Sequence, residues 1–180
     1  MLIDLKTHPF AVEAFFDTSL VLTFAIPKED IQHLIPSCLH LDILDGKWAF
    51  IAVAVVQTRK LRPKGFPAFF GNDFSLVGYR IFVKYVNSAG KRLRGLYILK
   101  SETDKKKMEY LGNIFTRYKY TTTDISLVRN NGMIEIKSGV SDFSVIVETD
   151  ENSAISLPES SPFADWKIAR RFAGPLPFTV

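Results

Sequence analysis

Apolar residues recur at every second position, or at both parities, through most of the first two-thirds of the chain, which is the pattern of β-strands. Leu20–Ile26 is apolar and rich in strand formers. Trp48–Arg59 is apolar at both parities, and its uninterrupted run Ala49–Val56 suits a strand buried on both faces. Phe74–Val86 puts Val77, Tyr79, Ile81, Val83 and Tyr85 on one face and Leu76, Gly78, Arg80, Phe82 and Lys84 on the other. Asn87-Ser88-Ala89-Gly90 turns that strand into Arg92–Thr103, its antiparallel partner. Thr121–Arg129, Met133–Lys137 and Phe143–Thr149 follow as strands, the first two joined by an Asn130-Asn131-Gly132 turn.

Three helical segments interrupt this pattern. Pro27 at a first helical position and Pro36 beyond it bound a short helix with an apolar face of Ile31, Leu34 and Ile35. Asp45-Gly46 then supplies the two left-handed residues of a tight hairpin turn between Leu41–Leu44 and the long strand. A second helix is expected from about Lys105 to Tyr118, with Met108, Leu111, Phe115 and Tyr118 on one face and Asp104 as its N-cap. A third runs from Pro162 to Ala173, capped by Ser161, ended by Gly174-Pro175 and carrying Trp166 and Phe172 as core or interface anchors. Many hairpins with few helices predict a mainly β (α+β) fold: an antiparallel bent sheet or β-barrel with two or three short helices. No repeat or linker divides residues 1–180, so a single domain is expected. Leu176-Pro177-Phe178-Thr179-Val180 reads as the start of a strand, so that the chain either continues past Val180 or completes a sheet edge there.

Composition narrows the class. With 47% hydrophobic residues and 15 Phe, 180 residues can bury a full aromatic core. The longest apolar run falls far short of the roughly 20 residues that span a bilayer, so no membrane partner is expected. The N-terminal Met-Leu-Ile-Asp-Leu-Lys-Thr-His-Pro has an early acid and no basic region, which argues against a secretory signal. A single Cys38 cannot form an internal disulfide, and a cytoplasmic location follows as the expectation. The net charge of +4 draws attention to Arg59-Lys60-Leu61-Arg62-Pro63-Lys64-Gly65-Phe66, with Phe69 and Phe70 behind it. Such a patch could hold phosphates and stack bases. No nucleic-acid motif accompanies it, so the expected arrangement is a solvated loop with its phenylalanines folded inward.

The ordered set Ile26–Phe50, Arg94-Gly95-Leu96-Tyr97-Ile98-Leu99 and Phe172-Ala173-Gly174-Pro175-Leu176-Pro177-Phe178 resembles the uncharacterised YqjF-like family of the acetoacetate decarboxylase-like superfamily, over roughly residues 18–180. The resemblance implies a barrel-like fold with a central cavity and a homo-oligomer. Relatives often carry Glu-Val-Asn-Leu-Arg before the Gly-containing hairpin. This chain has Leu76-Val77-Gly78-Tyr79-Arg80, which keeps only the valine and the arginine.

Four groups of residues carry candidate chemistry. Decarboxylases of this superfamily place two adjacent lysines after a strand, which by resemblance makes Lys105 or Lys106 an imine-forming nucleophile and its neighbour the modifier. Independently, Lys105-Lys106-Lys107 crowds like charges onto the positive end of a helix dipole, and both effects disfavour the ammonium form. The alternative is a solvated basic turn softened by Asp104 and Glu109. Arg80 can clamp a carboxylate, with Phe82 shaping an apolar pocket beside it. Its alternative is a structural ion pair with Glu102 or Asp104, and Lys100 and Glu102, sharing a face, extend either arrangement. Cys38 and His40 lack a third orienting group, and His8 and His33 lack metal-ligand spacing. Neither a metal nor a cofactor is expected. The function that follows is a barrel binding a small organic acid or similar hydrophobic anion in its cavity, with Schiff-base chemistry as the enzymatic version. The alternative is a non-catalytic structural or interaction module whose interior is filled by its own side chains.

Overall fold

Long strands dominate the structure, a computed structural model that describes residues 11–116, 118–148 and 156–174. In chain order the elements are β1 (Val12–Pro27), α1 (Lys28–Ile31), β2 (His40–Leu41), β3 (Trp48–Pro63), β4 (Asn72–Val86), β5 (Arg92–Thr103), α2 (Lys106–Phe115), β6 (Tyr120–Thr122), β7 (Ser126–Asn130), β8 (Met133–Ser138), β9 (Phe143–Glu148) and α3 (Trp166–Ala173). One sheet runs in the order β1-β3-β4-β5-β6 with β2 added onto β4, and β7-β8-β9 form a second. The mainly β (α+β) expectation holds. Among the described residues β1 and β6 stand at opposite ends of the strand order, so the first sheet is open and not a closed barrel.

Turn chemistry was read correctly. Asp45 and Gly46 both take left-handed backbone (φ 51° and 69°), as do Asn131 and Gly132 (φ 45° and 77°). The segment Thr121–Arg129, however, is not one strand. β6 pairs in parallel with β5, with Ser101 opposite Tyr120 and Thr103 opposite Thr122, whereas β7 pairs antiparallel with β8 in the other sheet. Parallel neighbours need a crossover, and α2 is that crossover. β1 begins at Val12, well before Leu20, because the polar residues that interrupt its pattern are partnered: Arg62 of β3 reaches Glu13 at 2.9 Å and Arg59 pairs with Asp17. The last helix starts later than expected, at Trp166. Its cap is Asp165, whose carboxylate accepts from Ile168 N at 2.7 Å, and not Ser161. Pro27 closes β1 at the cap of a one-turn α1, and Leu34 is exposed. His8, Thr149, Pro175 and the expected strand at Leu176–Val180 lie outside the described residues.

The described residues gather into two compact units: 11–20, 54–78 and 100–148 form the first, and 21–53, 79–99 and 156–174 the second. In the second, Ile31, Ile35, Leu39, Leu41, Ala49, Ile81 and Val83 pack as one cluster. Phe50 lies in another, 5.3 Å from Phe163, 4.7 Å from Phe172 and 6.0 Å from Phe82 between ring centroids. Asp42, only 1% exposed, is held there by Lys84 Nζ at 2.6 Å and by Arg94. Arg94 also donates to the Phe172 carbonyl at 2.9 Å and lies 4.8 Å over its ring. In the first unit Val55, Phe74, Val77 and Ile136 are buried. Among the described residues no helix is long and apolar enough to cross a membrane.

Asp124 pins the β8–β9 connection in the first unit. Its carboxylate accepts from Ser138 Oγ at 2.5 Å, Val140 N at 3.1 Å and Gly139 N at 3.0 Å. These bonds, the Ser138 hydroxyl foremost, hold the carboxyl below its ordinary value of 3.8. A depressed folded-state value contributes stability that is present above the ordinary carboxylate range and lost as pH falls through the lower folded value. Asp124→Asn is therefore expected to lower the melting temperature at neutral pH and to shrink its fall between about pH 5 and pH 2. Thermal melts across that range check this, and an unaltered acid limb in the variant would count against it.

Candidate functional site

The helix that carries the lysines is fixed by its hold on an edge strand. β6 is three residues long and has β5 on one side only, so the backbone groups of its outer side need partners from elsewhere. Asn113 provides two of them, donating from Nδ2 to Tyr120 O and accepting from Tyr120 N, both at 2.8 Å. Glu109, one helical turn earlier, accepts from Thr122 N at 2.9 Å and from its hydroxyl. Between them Gly112 leaves room for the Tyr120 ring, which a Cβ at that position would strike. Of the expected apolar face, Met108 and Leu111 are half-buried, whereas Phe115 is exposed.

The N-terminus of α2 departs from expectation. Asp104 is not its cap: Oδ1 accepts from Ser75 N at 2.8 Å and its own amide donates to Ser75 O at 3.4 Å, which extends the pairing of β5 with β4. Lys105 takes the cap position in extended backbone with no side-chain cap bond. Neighbouring residues diverge on a strand and on a helix alike, and the lysines separate accordingly. Lys105 and Lys107 line a cleft of about 470 Å³ together with Lys60, Asp73, Phe74, Met108 and Leu111. Lys106 opens instead into a surface groove with Glu109, Tyr110, Asn113 and Ile114. Three lysines and one aspartate thus line the cleft, and the Asp73 carboxylate accepts from Lys60 N at 2.8 Å. Lys105 is 55% exposed along its side chain, with Asp104 as a distant partner at 3.5 Å. No local signal marks Lys60 as a site residue, since it stands in a basic run that reads as a solvated loop.

The remaining candidates fall into different settings. Glu102 is 3% exposed and accepts from Lys100 Nζ and Ser141 Oγ, both at 2.7 Å, so these two strand residues form an ion pair that ties β5 to the β8–β9 turn. Arg80 and Phe82 belong to the second unit. Phe82, 3% exposed, is packed into the aromatic cluster of Phe50 and Phe172. The Nε of Arg80 is buried and meets no hydrogen-bond partner among the described residues. Cys38 and His40 are both exposed, and the described residues hold no group of three ligands suited to a metal.

Residues 14–173 match DUF2071, described as an uncharacterised conserved protein. The chain belongs to this family. Solved structures place DUF2071 here in the acetoacetate decarboxylase-like fold. Acetoacetate decarboxylase of Legionella pneumophila superposes with a TM-score of 0.54 at 12% identity, over 82% of this chain and 51% of that one. An acetoacetate decarboxylase-like enzyme from Sphingomonas wittichii gives 0.53 at 14% identity, over 74% and 55%. The enduracididine biosynthesis enzyme MppR, complexed with pyruvate, gives 0.52 at 11% identity, over 72% and 54%. The chain therefore spans about half the length of these proteins, and at such identities the likeness is one of fold. No curated protein sequence matches it.

The grip of α2 on β6 is testable. Asn113→Ala deletes both bonds to Tyr120 and is expected to cost about 1–3 kcal/mol, read as a lowered urea midpoint. Hydrogen exchange at the Tyr120 amide should accelerate with it, and retained protection there would show that the helix is held by something else.

Proposed function

We propose that this DUF2071 protein binds a small organic acid at the cleft walled by Lys60, Lys105 and Lys107. The carrying observation is that cleft: three lysines, one aspartate and the apolar residues Phe74, Met108 and Leu111 line a single depression of about 470 Å³. An acid with a short apolar body fits it, the carboxylate meeting lysines that act as mobile point charges. Among proteins of related fold, MppR is complexed with pyruvate or with a condensation product of pyruvate and imidazole 4-carboxaldehyde, which supports the ligand class. Binding, rather than catalysis, is the primary reading, because imine chemistry calls for a dry lysine, and Lys105 is largely exposed.

The enzymatic version uses the same residues. The Lys105 amine would attack the ketone carbon of a β-keto acid and water would leave. The iminium so formed would take up the electron pair of the breaking carbon–carboxylate bond as carbon dioxide departs. Lys107, which shares the cleft, replaces Lys106 as the neighbouring charge in this version.

A second anion site at Arg80 is favoured by its Nε, which is buried and meets no hydrogen-bond partner among the described residues, since buried donors ordinarily hold an acceptor. The filled aromatic cluster around Phe82 favours the non-catalytic alternative for the second unit.

Thermal-shift titration with pyruvate, acetoacetate and longer keto acids tests the binding reading. Stabilisation of the folded protein is expected. Lys60→Gln, Lys105→Gln and Lys107→Gln should each weaken it by about two- to fivefold, the scale of exposed charge pairs, and Arg80→Met should leave that response intact. No shift with any acid, or equal binding by the three lysine variants, would overturn the reading. Borohydride treatment with the same acids, followed by intact-mass measurement, decides the imine separately: an adduct lost in Lys105→Gln supports it, and no adduct removes it.

A further inference from the structure

The connection between β3 and β4 turns its rings outward. Phe66, Phe69 and Phe70 are 53%, 79% and 55% exposed, where an inward fold was expected. This is an ordered display and not a loose loop. Arg62 donates from Nε to Phe66 O at 2.8 Å and from Nη1 to Lys60 O at 3.0 Å, while its Nη2 is anchored on Glu13 at 2.9 Å. Phe70 N and Gly71 N close the following turn onto Pro67 O and Ala68 O, both at 3.1 Å. The rings support one another, Phe69 on Phe70 at 4.3 Å and Phe66 edge-on to Phe70 at 6.2 Å.

A lysine accompanies these rings. Lys64 is exposed within this tip. Ala68, next to Phe69, lines the same cleft as Lys60, Lys105 and Lys107.

We propose that this aromatic tip docks on an anionic lipid surface, the three rings entering the boundary between headgroups and acyl chains and Lys64 meeting lipid phosphates. The proposal is independent of the organic-acid reading. It departs from the expectation of no membrane partner, which rested on the length of apolar runs and so concerned spanning alone. Area and charge select this occupant. At those exposures the rings offer roughly 400 Å², about half of the ~800 Å² per partner of a stable protein interface, so a second copy is poorly served. A nucleic-acid track needs a row of unengaged cations and free ring faces. Here Arg59 and Arg62 are paired with Asp17 and Glu13, and the rings lie against each other.

The experiment is co-sedimentation of the full chain with vesicles of phosphatidylcholine alone and of phosphatidylcholine mixed with phosphatidylglycerol. Pelleting with the mixed vesicles and not with the neutral ones is expected. Phe66→Ser/Phe69→Ser/Phe70→Ser should lose at least about a hundredfold in partitioning, and Lys64→Gln, outside the acid cleft, about fivefold. The rings are already exposed, so the triple variant should melt with the parent; if it does not, Phe69→Ser alone carries the test. A parent that stays in the supernatant with mixed vesicles, or ring variants that pellet as the parent does, would overturn the proposal. So would a parent dimer that dissociates in the ring variant, or binding of a single-stranded oligonucleotide that needs the rings while vesicles are ignored.

Discussion

A three-residue edge strand cannot hold its own outer backbone, and the first unit is organised around the way α2 does so. Glu109 and Asn113, four residues apart on one helix face, bond to Thr122 and Tyr120 as a neighbouring strand would. The arrangement gives β6 its partners, fixes the rotation of α2 about its axis and thereby fixes where the lysines of its first turn go. Gly112 is part of the same constraint, since the ring of Tyr120 occupies the space in which any larger residue would place its Cβ. A crossover between parallel neighbours would ordinarily rely on an apolar stripe facing the sheet. Here the polar bonds do the orienting, and apolar residues such as Phe115 remain exposed.

Among the described residues each unit also buries one carboxylate, and in both cases a strand lysine answers it. Asp42 has Lys84 and Arg94; Glu102 has Lys100 and the Ser141 hydroxyl. Such pairs add little net stability over apolar packing, but removing one member strands a charge in the interior, so they fix which arrangement the strands adopt. The same accounting separates structural cations from available ones. Arg59, Arg62, Lys84, Arg94 and Lys100 are engaged by acids. Around the cleft, Lys105 has Asp104 at 3.5 Å, while Lys60 and Lys107 have no ion pair among the described residues. Lysine is thus in excess over acid in the lining of the cleft.

Elements with strong local signals were legible in the sequence. Asp45-Gly46 and Asn131-Gly132 require left-handed backbone whatever surrounds them, and Arg92–Thr103 emerged with its bounds unchanged because turn and helix-forming segments flank it. The family was legible too, through an ordered set of short segments that the match over residues 14–173 bears out. What stayed hidden depended on partners distant in the chain. Nothing local shows that the chain passes from one sheet to the other between Thr122 and Ser126, since β6 and β7 are both strand-like and differ only in what they pair with. Asp104 is a good cap by residue type, yet Ser75 claims it. For the candidate site, a run of three lysines could be seen, but their division between two surfaces follows from where extended backbone gives way to helix, a boundary one residue later than expected.

The cleft and the aromatic tip have a common backbone origin. Lys60 stands in left-handed conformation (φ 53°), a position a lysine holds at some cost, and its amide is fixed by Asp73 Oδ1 at 2.8 Å. Gly71 passes so close that a Cβ there would lie 2.5 Å from the Lys60 Cα. The left-handed residue redirects β3, and the bare glycine lets the returning chain approach it. Lys60 and Gly71 consequently form a wall of the lysine cleft, while the ten residues they enclose are gathered by Arg62 into a tight turn with no interior of its own. A turn closed in that way has nowhere to bury three large rings. Their exposure is therefore a consequence of the same geometry that shapes the cleft, and a substitution at Gly71 would disturb both features where one at Phe69 would touch only the tip.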